Sequence, residues 1–404
     1  MAKIKENFIY YFMIIFPIID ILSSFNNRYD LLPFSPGIII RGFVLLCAII
    51  YIFTNKDITE TKKKKYYTYF ILFILFALAF YMVRLLNGYS IRDLLLETVA
   101  FSKFWYFPIT IIFMDSFKFD NEKLARSLKI STVLYSAGII IPMITNTSFD
   151  SYISDYDGIV GWYYSANEIG GLLAINSVIL FLHLKVNNEK GYIYLILLND
   201  FCLSLIGTKV SLFSTIIINA IVLILFISIK GIKSKEAKYA SIIFGVSLIF
   251  LLFSSTSYDI LERLNIHLPF LAKNPSKHEV RLLSGRDDML RDAYAVYKDT
   301  SIMNKLFGMG FLNNTTYRTV EMDMFDILFG FGIIGFIIYF IPLVYYLIAV
   351  LKKSIKLTLH NTICLMGAGL LLSISFLAGH TISAPAVSLY ISLALGLTKK
   401  QFRN

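Results

Sequence analysis

Apolar runs close to twenty residues long recur along the whole chain, and they constrain the fold more than any other feature of the sequence. A helical run of about 20 residues matches the ~30 Å hydrocarbon thickness of a bilayer. In that medium every backbone N–H and C=O must be bonded within its own segment, so each run has to be an α-helix. Twelve such runs are placed at about 7–25, 34–53, 66–86, 101–117, 128–146, 166–185, 192–207, 210–230, 239–256, 325–351, 361–379 and 382–398. The expected fold class is all-α: a polytopic membrane protein with about 12 transmembrane helices, read as one membrane domain over 1–404. Spans 1–9 fill 1–256, a large extramembrane loop fills 257–324, and spans 10–12 fill 325–404. Hydrophobic residues at 57% against 16% charged override the two or three soluble domains that 404 residues would otherwise suggest.

The net charge of +11 invites a nucleic-acid reading, but the positions of the cations argue for topology instead. With the N-terminus placed in the cytoplasm, the inside segments carry Lys62 to Lys65, Lys118, Lys123, Lys230, Lys235, Lys352, Lys399 and many more, while the short outside loops hold only Arg28 and Arg92. This is the positive-inside bias, and an even number of spans leaves both termini inside. No nucleic-acid partner is implied. Cys47, Cys202 and Cys364 sit in apolar runs without metal or disulfide spacing. The basic leader and first apolar run lack a small-residue cleavage site, so the first span is read as retained.

Ionisable side chains inside spans are costly and commonly functional. They are Asp20, Arg41, Arg84, Lys103, Glu168, Asp200, Lys209 and Asp326, and all but Asp200 fall in or near the outer half of their spans. That clustering predicts a polar cavity open to the outside, lined by Arg and Lys and suited to an anion at headgroup depth. Arg84, Lys103 and Lys209 are equally explained by snorkelling to the headgroups, whereas Arg41 sits some eight residues into its span. Asp200 is expected to pair with a basic neighbour. Glu168 follows Asn167 in GWYYSANEIGG, where a helix cap is the alternative reading.

Residues 281–335 are the polar, glycine-punctuated stretch that feeds the tenth span. An amphipathic surface helix is predicted from SGRDDMLRDAYAVYK, with Ser284 as N-cap and Met289, Leu290, Ala293, Tyr294 and Tyr297 on one face. Arg286 in its first turn is placed to bind an anion, although an ordinary capped, charge-paired helix needs no ligand. Gly308 and Gly310 mark a turn. At the mouth of the tenth span, Glu321, Asp323 and Asp326 are candidate general bases or simply interface charge, and His380 falls on the same side.

GWYYSANEIGG, GTKVS, LLSGRDDML, LFGMGF, VEMDMFDILFGFGIIG and AGHTISAPAVS, in this order over about 240 residues, resemble the O-antigen polymerase and ligase family of bacterial envelope glycosyltransferases. The resemblance implies transfer of a glycan from a polyprenyl pyrophosphate carrier to an acceptor hydroxyl, at the outer face of the bacterial cytoplasmic membrane. No metal or other cofactor is implied. Basic residues hold the pyrophosphate, and Arg286 matches the family's arginine after a serine-glycine pair. The ligase branch has a histidine followed by asparagine where this chain reads Glu321 and Met322, which moves the reading towards polymerases of capsular or exopolysaccharide clusters.

The expected catalytic residues are Glu321, Asp323 and His380; the expected pyrophosphate- and glycan-binding residues are Arg41, Arg84, Lys103, Asn167, Lys209 and Arg286. The expected partners are a polyprenyl-pyrophosphate-linked oligosaccharide, the lipid bilayer, and flippase and chain-length regulator proteins. A ligase moving glycan to a lipid, protein or wall acceptor is the alternative within the family. A flippase or transporter is the alternative outside it, and the absence of an internal repeat counts against that.

Overall fold

The computed structural model describes residues 2–151, 158–187, 191–252, 285–312, 319–352, 358–379 and 381–398. Among them, nine helices are α1 (Ala2–Tyr29), α2 (Pro36–Thr54), α3 (Glu60–Leu86), α4 (Ile91–Ser116), α5 (Asn121–Ile144), α6 (Ala166–Asn187), α7 (Gly191–Ile206), α8 (Lys209–Lys230) and α9 (Lys235–Leu252). They are followed by α10 (Arg286–Asp299), α11 (Ile302–Phe307), α12 (Asp323–Lys352), α13 (Leu359–Ala378) and α14 (Pro385–Thr398). Between α5 and α6, β1 (Phe149–Asp150) pairs antiparallel with β2 (Ile159–Gly161). The chain is a polytopic all-α membrane protein. Nine of the described helices are long and apolar enough to cross a bilayer. Of the other three expected spans, α7 and α14 are shorter apolar helices and α9 carries Lys235, Glu236 and Lys238 in its first turn.

The helices divide into a lipid-facing ring and a protein-enclosed centre. Ile71, Ile74, Leu75 and Leu78 of α3 and Ile224 of α8 are exposed, which only a hydrocarbon surround makes favourable. By contrast α14 is buried at every position and packs between α4, α6 and α13. That explains how a 14-residue helix sits at the centre: its surroundings are protein. Polar residues cross-link these central helices, as expected where apolar side chains have no preference between lipid and protein. Ser131 bonds Tyr390 at 2.6 Å, Thr110 bonds Ser392 at 2.9 Å, and Asn176 donates to Thr132 at 2.7 Å. Asp200 differs from expectation: it accepts from Asn219 (2.8 Å) and Ser247 (2.6 Å), neutral donors from α8 and α9 and not a basic side chain.

The two faces of the bundle differ in chemistry. One gathers the starts of α1, α3 and α5 with the ends of α2, α4 and α12, joined by Lys118–Asp57 (2.8 Å), Lys62–Asp115 (3.3 Å), Lys65–Tyr345 (2.9 Å) and Lys123–Asn7 (3.1 Å). The opposite face gathers the start of α2, α4, α6 and α12 and carries α10 and α11. The expected surface helix is α10, with Ala293 and Tyr297 packed on Met309, Val320, Met322 and Phe329, although Tyr294 is exposed. Its N-cap is Gly285 at φ 82°, and Ser284 lies outside the described residues. Asp288 pairs with Arg291 at 3.6 Å.

The tenth span is one helix by extent but is broken at Gly332 (φ 70°, ψ −178°). A break strands carbonyls that a membrane cannot solvate. Here the turn after α11 supplies the missing donors: Met309 N–H donates to Phe329 O (2.8 Å) and Gly310 N–H to Gly330 O (3.0 Å). Gly308 has φ 89°, and a β-carbon there would collide with the Gly330 carbonyl, so the approach requires glycine.

Candidate active site

A cavity of about 260 Å³ opens among α1, α2, α4, the start of α6 and the start of α14. Each of the first four elements presents residues spaced 0, 3, 4 and 7 along a helix: Asp20, Ser23, Ser24 and Asn27; Ile38, Arg41, Gly42 and Leu45; Val99, Ser102, Lys103 and Tyr106; Ser165, Glu168, Ile169 and Leu172. That spacing places side chains on one face of a helix. Pro385 and Ala386 of α14 close the wall. Four of the eight ionisable residues expected inside spans, Asp20, Arg41, Lys103 and Glu168, therefore meet in one chamber.

Close packing sets the geometry. Ser23 Oγ donates to Ile19 O and accepts from Gly37 N–H, both at 2.7 Å, which draws the start of α2 onto α1. One turn later Arg41 forms an ion pair with Asp20, whose second oxygen accepts from the Tyr135 hydroxyl at 2.9 Å. The side chains of the pair are 16% and 14% exposed, so each charge offsets part of the other's desolvation cost. Lys103 and Glu168 are 3.7 Å apart, with side chains 42% and 34% exposed, and water screens them. The chamber is thus balanced in charge and not purely basic. Of the two ion pairs, Lys103–Glu168 is the longer and more exposed, and so the weaker.

Buried hydroxyls add neutral polar groups to the cavity wall. The Tyr106 and Ser24 hydroxyls have no hydrogen-bond partner among the described residues, and both residues line the cavity. Tyr163, in the link before α6, is buried; burial holds its phenol well above the usual range, so it is a neutral donor, here to Tyr135 O at 3.3 Å.

A second cluster sits against the α13–α14 link, whose far end lines the chamber. Arg286 Nη2 donates to Glu321 Oε2 at 3.4 Å, with side chains 11% and 29% exposed. Glu321 adopts φ 59°, a left-handed conformation uncommon outside glycine, just ahead of α12. Asp323 is 1% exposed and, among the described residues, accepts from Ser375 Oγ (2.8 Å), Thr381 N–H (2.8 Å), Ile382 N–H (2.9 Å) and Ser383 Oγ (2.6 Å). It clamps the α13–α14 link to α12. That link joins the clusters: Gly379 at its start packs on the Glu321 carbonyl, and Pro385 at its end lines the chamber. Asp326 accepts from Val320 N–H at 2.8 Å and fixes the segment before the helix. His380 lies outside the described residues.

The remaining expected binding residues stand apart. Arg84 is 1% exposed and its guanidinium donates to Met309 O (2.5 Å) and Gly308 O. Next to it Glu97, 0% exposed, accepts from Phe311 N–H (2.9 Å) and Leu312 N–H (3.2 Å). Arg84 and Glu97 hold the turn that seals the break in α12 and do not line the chamber. Asn167 is half-buried in the first turn of α6. Lys209 opens α8 behind its cap Thr208, which accepts from Ser211 N–H at 3.2 Å. Gly170 packs against Ser211, so the starts of α6 and α8 are neighbours.

Comparison with curated proteins finds no match. The family model of the O-antigen ligase like membrane proteins matches residues 2–279 and 270–398, almost the entire chain. The chain belongs to the O-antigen ligase-like family of membrane proteins.

Proposed function

We propose that this protein is a polysaccharide polymerase that moves a growing glycan from polyprenyl pyrophosphate to a hydroxyl of the next lipid-linked repeat unit. Family membership supports the coarser class, a membrane enzyme of glycan transfer. The observation that carries the finer reading is the joining of two sites by one link: a chamber holding Arg41 and Lys103, and beside it the Arg286–Glu321 pair. The positive-inside rule turns the lysine-rich face to the cytoplasm and the chamber to the outside.

In the proposed reaction the acceptor hydroxyl oxygen attacks the anomeric carbon of the donor glycan. The bond from that carbon to the pyrophosphate oxygen breaks, and polyprenyl pyrophosphate leaves. Arg286, Lys103 and Arg41 stabilise the negative charge that collects on the leaving group. The hydroxyl proton passes to the Glu321 carboxylate. Glu321 fits this role better than Asp323, because it is 29% exposed while Asp323 is enclosed by four donors. Asn167 and Lys209, at neighbouring helix starts, are proposed to extend the glycan-binding surface.

The test is Arg286→Ala in cells that make the polymer. The reading expects long polymer to disappear and single lipid-linked units to accumulate; normal long polymer from the variant overturns it. A ligase is the second reading, favoured by the description of the matching family model. It predicts product on an acceptor other than the carrier lipid.

A further inference from the structure

Away from the chamber, on the lysine-rich face, α3, α4 and α12 enclose a groove of about 580 Å³. Its origin is local. The helices α3 and α12 touch where Phe76 packs directly on Gly335, where even a methyl group would collide with the ring. The lining of the groove lies on the lysine-bearing side of that contact. Along α3 the lining runs from Thr61 to Leu72, a rise of about 16 Å at ~1.5 Å per residue. That is close to half the ~30 Å hydrocarbon thickness, the depth of one leaflet. The walls are Leu72, Ile111, Ile112, Ile341 and Pro342.

The polar groups of the groove are graded along its length. At the mouth, Lys64 and Lys65 are exposed, and the Lys65 ammonium lies 4.6 Å from the Tyr345 ring centre and 2.9 Å from its hydroxyl. The carboxylate in the lining, Asp115, is already engaged by Lys62 (3.3 Å) and by the Tyr66 hydroxyl (2.6 Å), so the rim carries net positive charge. One helical turn deeper, Tyr69 is 4% exposed and its hydroxyl has no hydrogen-bond partner among the described residues. A cationic rim, one buried donor a turn below it and an apolar slot one leaflet deep match one kind of molecule in order: a phosphate, a glycerol ester and an acyl chain.

We propose that this groove binds an anionic phospholipid of the leaflet on the lysine-rich face, with its phosphate on Lys64 and Lys65, an ester carbonyl accepting from Tyr69, and an acyl chain between α3 and α12. The site is independent of the glycan chemistry proposed above. A cation near a membrane surface contributes about 1 kcal/mol towards an anionic lipid. Two lysines therefore give about a thirty-fold preference over a zwitterionic lipid.

The experiment is native mass spectrometry of the purified full chain titrated with dioleoyl phosphatidylglycerol, dioleoyl phosphatidylcholine and an ether-linked phosphatidylglycerol. Wild type is expected to hold phosphatidylglycerol about thirty-fold more tightly than phosphatidylcholine. Changing both Lys64→Gln and Lys65→Gln is expected to abolish that preference. Tyr69→Phe, a conservative change, is expected to weaken the ester lipid about five-fold and leave the ether lipid unchanged. Equal retention of the two headgroups, a preference that survives loss of both lysines, or a Tyr69→Phe effect identical on ester and ether lipids overturns the proposal. So does polyprenyl phosphate displacing phosphatidylglycerol with the same dependence on Lys64 and Lys65, which makes the groove a carrier-lipid site.

Discussion

Removing the Glu97 carboxylate tests whether Arg84 and Glu97 support the broken helix. Glu97 is fully buried and accepts from the backbone N–H groups of Phe311 and Leu312, on the turn that also donates to the carbonyls of Phe329 and Gly330. In Glu97→Ala those two donors lose their acceptor in a place water does not reach, at about 1–3 kcal/mol each. Arg84, within electrostatic reach of the same carboxylate, keeps its charge without the compensating one. Breaking a buried charge pairing costs roughly 3–5 kcal/mol, partly the same energy counted again, so about 4–6 kcal/mol is expected in all. Glu97→Gln keeps an acceptor oxygen but still leaves the Arg84 charge uncompensated, so about 2–4 kcal/mol is expected. Arg84→Met combined with Glu97→Gln removes both charges and is expected to be less destabilising than the sum of the single changes by about 1–3 kcal/mol. Reversible detergent unfolding without substrate is the assay. Wild-type stability of Glu97→Ala, or strict additivity in the double variant, refutes the reasoning and returns Arg84 to the list of ligand-binding residues.

Four further outcomes rest on the same geometry. Glu168→Gln frees Lys103 from its exposed partner and is expected to strengthen binding of polyprenyl pyrophosphate, measured by competition, by up to about five-fold. Gly308→Ala forces a side chain into a left-handed backbone against the Gly330 carbonyl and is expected to cost roughly 2–6 kcal/mol in unfolding experiments. Asp323→Ala removes the acceptor of two backbone N–H groups and is expected to lower stability by roughly 2–6 kcal/mol. Glu321→Gln, by contrast, is expected to change stability by about 1 kcal/mol and to lose glycan transfer.

The membrane class was legible because a bilayer allows one answer to a twenty-residue apolar run; nine of the twelve expected spans are long, apolar described helices, and counting lysines was enough to separate the faces. The same counting brought Asp20, Arg41, Lys103 and Glu168 to one depth, and the fold brings them into one chamber. Their pairing was harder to read: periodicity gives depth and not partner, so an expected basic cavity has charge balance instead. Arg84 shows the limit most clearly. A cation near the end of a span looks the same whether it meets phosphate or carbonyl oxygen, and here its acceptors are 224 and 225 residues away. Glu97 and the break at Gly332 belong to the same long-range contact. Of the polar stripe Asp20, Ser23, Ser24 and Asn27 the sequence reading singled out Asp20 alone; the 0, 3, 4, 7 spacing on an otherwise apolar helix is the signal that could have found the other three.

The central claim is glycan transfer between two carrier-linked units, and purified protein given only polyprenyl-pyrophosphate-linked repeat units tests it most directly. The account predicts a ladder of products that remain on carrier lipid, one polyprenyl pyrophosphate released for each new linkage, and no ladder from Arg286→Ala. Translocation without a new glycosidic bond, or product formed only when a different acceptor is added, contradicts it.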